Sequence, residues 1–131
     1  MKKHNLRLQK ALNNKEIRQS EIWLVNYEPS RRGELGKTAR PSIVIQSNEA
    51  CALLDTVTVV PTSTNIEQYD ELYIYLKPSR QNSLSKPSAA ICSHVYTISK
   101  NNLIKKVGIL NEQDFSSIQK GVALHLDIEL Y

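Results

Sequence analysis

The run Glu21-Ile22-Trp23-Leu24-Val25-Asn26-Tyr27 constrains the fold most. It is rich in strand-forming side chains, apolar at both alternations, and closed by Pro29. A strand buried on both faces belongs inside a sheet, not at its edge. Similar short runs follow. Pro41 to Gln46, Thr56 to Val60 (stopped by Pro61), Leu72 to Leu76, Ala89 to Ser93 and Val95 to Ile98 all read as strands. Their spacing, with no helical pattern between them, predicts an antiparallel, barrel-like sheet.

One helix closes the chain. Asn111 can serve as N-cap, with Asp114 three residues on approximating a capping box and Leu110 and Phe115 forming a hydrophobic staple. Phe115, Ile118, Val122 and Leu126 then make one apolar stripe. Residues 3–17 could form a weaker amphipathic helix using Leu6, Ala11, Leu12 and Ile17, too short to be stable without docking. At 131 residues the chain has room for a single modest core. We divide it into a basic extension, 1–19, and one domain, 20–131.

Cys51 and Cys92 lack metal-ligand spacing and read as buried thiols. No apolar run reaches the roughly 20 residues of a membrane helix, and none follows the basic start as a secretory signal requires. These observations point to the cytoplasm. Charge is uneven. Lys2, Lys3, Arg7, Lys10, Lys15 and Arg18 face only Glu16, so the rest of the chain is slightly acidic although the whole carries +4. Within that acidic body two loops are basic. Residues 29–40 hold Arg31, Arg32, Lys37 and Arg40 against Glu34, and residues 77–87 hold Lys77, Arg80 and Lys86 without an acid. Such loops suit phosphate.

The chain has no histidine pair at nuclease spacing, no acidic cluster for a two-metal site and no Gly-rich phosphate loop. His4 lies in the tail, His125 at the edge of the last helix, and His94 after a strand, a position from which it can face a groove. A nuclease here would rely on a cation that stabilises the phosphorane formed when a 2′-hydroxyl attacks its neighbouring phosphorus. An arginine fork suits that task, and a nearby hydroxyl can hold a phosphate oxygen or relay a proton. Arg40, fixed by Pro41 and the following strand, is the candidate. A surface arginine before a strand is its plainer reading.

The segment SEIWLVNYEPSRRGELGKTARPSIVIQSN resembles the N-terminal pattern of the MazF/PemK toxins: Glu21-Ile22-Trp23, Pro29-Ser30, Gly33, then Arg40-Pro41 before an aliphatic strand. Thr56 to Thr64, with Pro61, looks like the family's next strand, and Ser88 to Ile98 like its later strand and turn. Lys106-Val107-Gly108 and the helix after it are similar to the family's close, so the resemblance covers about residues 20–128. It implies an α+β fold, a small bent antiparallel sheet with an SH3-like barrel core and a C-terminal helix. It implies cleavage of single-stranded RNA, mRNA included, without metal or other cofactor, leaving a cyclic phosphate and a 5′-hydroxyl. The implied partners are a second copy of the chain and an antitoxin of MazE/PemI type whose acidic segment fills the RNA groove.

By that resemblance Arg40 and Ser63 are catalytic, with Thr62 and Thr64 as neighbours on the RNA. The chain departs from the family pattern at Ser63 (usually Thr), Leu35, Ser93-His94, Tyr96 and Ser99. These changes are compatible with an altered cut sequence, His94 joining the catalytic set, and equally with a module that binds RNA or a partner without cutting. A third reading, a gyrase poison of CcdB type, needs an aromatic C-terminal tail that Asp127 to Tyr131 matches poorly.

Overall fold

A computed structural model describes residues 16–27, 39–66 and 70–130. The expected helix over 3–17, apart from its last residues, lies outside them, as do Arg31, Arg32, Leu35 and Lys37. The strands are β1 (Glu21–Val25), β2 (Arg40–Val44), β3 (Thr56–Ser63), β4 (Tyr73–Leu76), β5 (Ser88–Ile91), β6 (Tyr96–Ser99) and β7 (Leu103–Ile109). Helix α1 (Asn48–Leu53) lies between β2 and β3, and α2 (Glu112–Leu126) follows β7.

The strands form one sheet in the order β4-β5-β3-β2-β1-β7, all neighbours antiparallel, with β6 also pairing with β3. Strand β3 is long enough to serve two partners. Its first half, Thr56 to Val59, runs beside β6, and its end, Thr62 and Ser63, beside β5. That division bends the sheet. β1 is interior, between β2 and β7, with Ile22, Trp23 and Val25 buried. At the far side, β7 pairs only with β1 among the described strands, and two register shifts interrupt that ladder.

Alternation divides the apolar residues between two clusters. One gathers Trp23, Val25, Tyr27, Val44, Val57, Val59 and Leu103. The other gathers Ile22, Ile43, Val60, Leu76, Leu110, Phe115 and Ile118, and α2 covers it. The start of α2 is as expected: the Asn111 side chain accepts from the Asp114 amide at 2.7 Å, and Leu110 and Phe115 are both buried. Its end is a Schellman turn, with Asp127 at φ 56° and the Ile128 amide bonded to the Ala123 carbonyl at 2.8 Å. The apolar stripe stops short of its last member, because Leu126 is exposed.

Helix α1 departs from the expectation of uninterrupted strands. It is only six residues long. Ser47 caps it by accepting from the Ala50 amide, and Cys51 buries its one apolar anchor. Ile17 and Gln19, assigned above to the extension, pack on the domain: Ile17 is buried, and the Gln19 side chain donates to the Ile45 carbonyl. Both cysteines are free and buried, and burial pushes the Cys92 thiol up to about 12.

Glu21 ties the sheet interior together. Its Oε1 accepts from the Trp23 indole at 2.9 Å and the Arg18 amide at 3.0 Å, and its Oε2 meets Lys106 Nζ at 3.0 Å. Burial works to raise its pKa, but these donors outweigh it and hold the carboxyl below its ordinary 4.5. A depressed carboxyl contributes stability above the unfolded pKa and loses it as pH falls through the folded value. Denaturant midpoints measured from about pH 6 down to about pH 3 should therefore fall below about 4.5 in the parent. Glu21→Gln should start lower and follow a flatter profile.

Candidate active site

Arg40 and Ser63 stand at one end of the β2–β3 ladder. The register pairs Val44 with Val59, Ile43 with Val60 and Ser42 with Pro61; continued by two residues it sets Arg40 opposite Ser63. Directly opposed residues project to the same side of a sheet. Arg40 opens β2 and Ser63 closes β3, so both side chains sit where the strands give way to loops. The guanidinium turns toward β3, Nη1 donating to the Thr62 carbonyl at 3.3 Å. Half-buried Ser63 accepts from the Asn65 amide at 3.1 Å through its Oγ, which leaves its hydroxyl proton to donate elsewhere.

Two devices hold this end of the ladder. Thr62 is buried and its hydroxyl donates to the Pro41 carbonyl at 2.7 Å, so this residue clips the strands together where their backbone pairing runs out. On the other side, the Tyr27 and Ser42 hydroxyls lie 2.6 Å apart, and Ser42 Oγ donates to the Arg40 carbonyl at 3.2 Å. Burial pushes the Tyr27 phenol up to about 12, keeping it protonated and able to donate to Ser42. The backbone of Arg40 is thus anchored from within the core. Nothing in the local sequence signalled the Tyr27–Ser42 pair.

Arg40 also lines a cavity of about 420 Å³ with Pro41, Thr62, Thr64, Lys86 and Ser88. Of the residues proposed to meet RNA, Thr62, Thr64 and Lys86 therefore gather beside Arg40. Lys77 and Arg80 are exposed in the same loop as Lys86 and do not line the cavity. Ser63 does not line it, and neither does His94. It sits half-buried after β5, its amide bonded to the Ile91 carbonyl at 3.0 Å and its ring 6.2 Å from that of Tyr96, which in turn lies 5.5 Å from Tyr27. An aromatic row thus joins His94 to the residues that anchor Arg40, on the face of the first apolar cluster. Among the described residues no group of three or more His, Cys, Asp or Glu gathers as a metal site, and no helix is long and apolar enough to cross a membrane.

A bent antiparallel sheet with one long closing helix is a fold shared with solved toxin structures. A MazF from Deinococcus radiodurans superposes with a TM-score of 0.74 at 10% identity, over 88% of this chain and all of that one. The Mycobacterium tuberculosis toxin MazF-mt6 gives 0.69 at 19% identity, over 84% and 99%. A mycobacterial endoribonuclease in complex with its cognate antitoxin gives 0.70 at 15% identity, over 88% and 99%. In sequence, the endoribonuclease MazF9 of M. tuberculosis is 25% identical over 86% of this chain and 98% of its own length. A probable endoribonuclease MazF of Mycolicibacterium smegmatis is 29% identical over 78% and 93%. The description of a PemK-like, MazF-like toxin of type II toxin–antitoxin systems matches residues 18–126, and the chain belongs to that family.

Proposed function

We propose that the protein is the toxin of a type II toxin–antitoxin pair and acts as an endoribonuclease on single-stranded RNA. The observation that carries this reading is the placement of Arg40 and Ser63 at one end of the β2–β3 ladder, with the Arg40 backbone anchored through Ser42 and Tyr27. The 2′-oxygen of the substrate attacks the adjacent phosphorus as it loses its proton. The bond to the 5′-oxygen breaks, that oxygen takes up a proton, and a cyclic phosphate remains. Arg40 clamps two non-bridging oxygens while charge builds on them. The Ser63 hydroxyl holds a phosphate oxygen or passes the proton. Two copies of the chain would enclose the RNA groove, and a small antitoxin would occupy it in the resting cytoplasm. The named endoribonucleases and the antitoxin complex among the relatives support this assignment.

The test is incubation of purified protein with a long single-stranded RNA in the presence of a chelator. Discrete fragments carrying 5′-hydroxyl ends are expected. Ser63→Ala should slow their appearance about 10²-fold, the loss of a positioned proton-transfer or phosphate-holding hydroxyl, while Ser63→Thr should retain most of the rate. Absence of discrete cuts, or a Ser63→Ala variant cutting at the parent rate, would overturn the reading.

A further inference from the structure

Strands β5 and β6 both lie on the side of β3 away from β2, β6 against Thr56 to Val59 and β5 against Thr62 and Ser63. The turn that joins them, Cys92 to Val95, therefore falls beside Val60 and Pro61. Pro61 is two strand residues from Ser63, about 7 Å along β3. His94 lies in this turn, and its amide closes it on the Ile91 carbonyl at 3.0 Å. Cys92 and Val95 pack in the cluster that α2 covers, whereas Tyr96 packs in the other. The His94 ring lies 6.2 Å from that of Tyr96, so it belongs to the Tyr96 face. Val44 and Val59 share that face, and steps of two along β2 and β3 lead from them to Arg40 and Ser63. Arg40, Ser63 and His94 thus stand on one face of the sheet, opposite α2.

The cleavage step needs an acceptor for the 2′-hydroxyl proton, and the two residues at the ladder end are donors. Arginine stays protonated. Ser63 Oγ accepts from the Asn65 amide at 3.1 Å, so its hydroxyl is disposed to give a proton rather than take one. The Tyr27 phenol, pushed up to about 12 by burial, keeps its proton. On the described strands the one carboxylate is Glu21, and it is held by the Trp23 indole, the Arg18 amide and Lys106. A histidine supplies the missing function, because a neutral imidazole presents an unprotonated nitrogen and exchanges protons near neutral pH. The setting of His94 suits that role. It is half-buried, its ring is backed by Tyr96, and Tyr96 in turn lies against Tyr27, part of the frame that anchors Arg40.

We infer that His94 is the general base of the cleavage. As the 2′-oxygen bonds to phosphorus, its proton passes to the imidazole. The bond from phosphorus to the 5′-oxygen breaks, that oxygen takes a proton from water, and the imidazolium returns its own to water. The inference rests on the ribonuclease reading and is tested on the whole chain with a chelator present. His94→Gln should cut a defined single-stranded RNA about 10²-fold more slowly than the parent. It should bind the 2′-O-methyl form of that RNA, which cannot be cut, as tightly as the parent does. A substrate whose leaving 5′-oxygen is replaced by sulfur separates a base from an acid, because a thiolate departs without a proton. The deficit of His94→Gln should persist on it. His94→Asn takes the place of His94→Gln if that variant does not fold. A variant that cuts at the parent rate, one that loses affinity as much as rate, or a deficit that vanishes on the sulfur substrate would each overturn the assignment. A parent that cuts no RNA removes the ribonuclease reading and this role with it. A parent that cuts beside an unimpaired His94→Gln removes His94 alone.

Discussion

Replacing Arg40 with alanine is expected to lower RNA cleavage by about 10³-fold, the scale on which a preorganised donor to a developing oxyanion acts, and to abolish growth arrest on expression. The fold should survive, because the residue opens β2 half-buried and its own contribution to the ladder is backbone pairing with Val25. Arg40→Lys discriminates further. Lysine keeps the charge but not the planar fork, and two parallel bonds to a phosphate become one mobile contact. A partial rescue of binding without rescue of rate would place the arginine's work in the transition state. Initial rates on a defined RNA, with thermal denaturation as the control for folding, are the measurements. An Arg40→Ala protein that cuts at the parent rate would show that the phosphate clamp lies elsewhere.

The second large effect is on stability. An alanine at Gly108 would put its Cβ 2.4 Å from the Asn82 carbonyl oxygen and 2.8 Å from that of Gln81. Both obstacles are backbone, so no side chain can swing aside. Overpacking of this kind costs about 3 kcal/mol or more, roughly a 10 °C fall in Tm for a domain of this size. The strain has two outlets: β7 can move away from β1, or the loop 77–87 can lift from β7. The second would open the wall of the cavity that holds Ser85 and Lys86. Scanning calorimetry of Gly108→Ala reads the size of the effect. Its cut-site preference, compared with that of the parent, reads which outlet the protein takes.

Much of this molecule was legible before its structure because the informative patterns are local. The doubly apolar Glu21–Tyr27 run had to be interior, and β1 lies between β2 and β7. The Asn111 cap and the Leu110–Phe115 staple were readable because every partner lies within five residues. Helix α1 escaped because six residues show too little periodicity, and β7 because Lys105 and Lys106 interrupt its apolar pattern. At the site, Arg40 and Ser63 came from a resemblance of motifs and Lys86 from charge. Buried Asn82, whose side chain bonds to Lys77, Ser79 and Leu84 and so fixes the loop 77–87, was hidden for a different reason. An Asx turn can be guessed from a Ser-Arg-Gln-Asn-Ser run, but its burial depends on Gly108, which reaches it only through the third dimension. The aromatic row from His94 through Tyr96 to Tyr27 likewise joins β5, β6 and the end of β1, which no spacing in the chain connects.

The interrupted ladder between β1 and β7 also bears on how the protein behaves in a crowded solution. A strand that ends a sheet offers unpaired backbone groups to any other strand that approaches. Here that strand is displaced twice from straight register and carries Lys105 and Lys106, both exposed, between Ile104 and Ile109, which are exposed as well. Charge and irregularity together discourage edge-to-edge growth. Lys106 therefore serves twice: it neutralises Glu21 inside the sheet and adds charge to the last strand described. The edge's resistance to indiscriminate strand pairing thus rests on residues that lie outside the candidate active site.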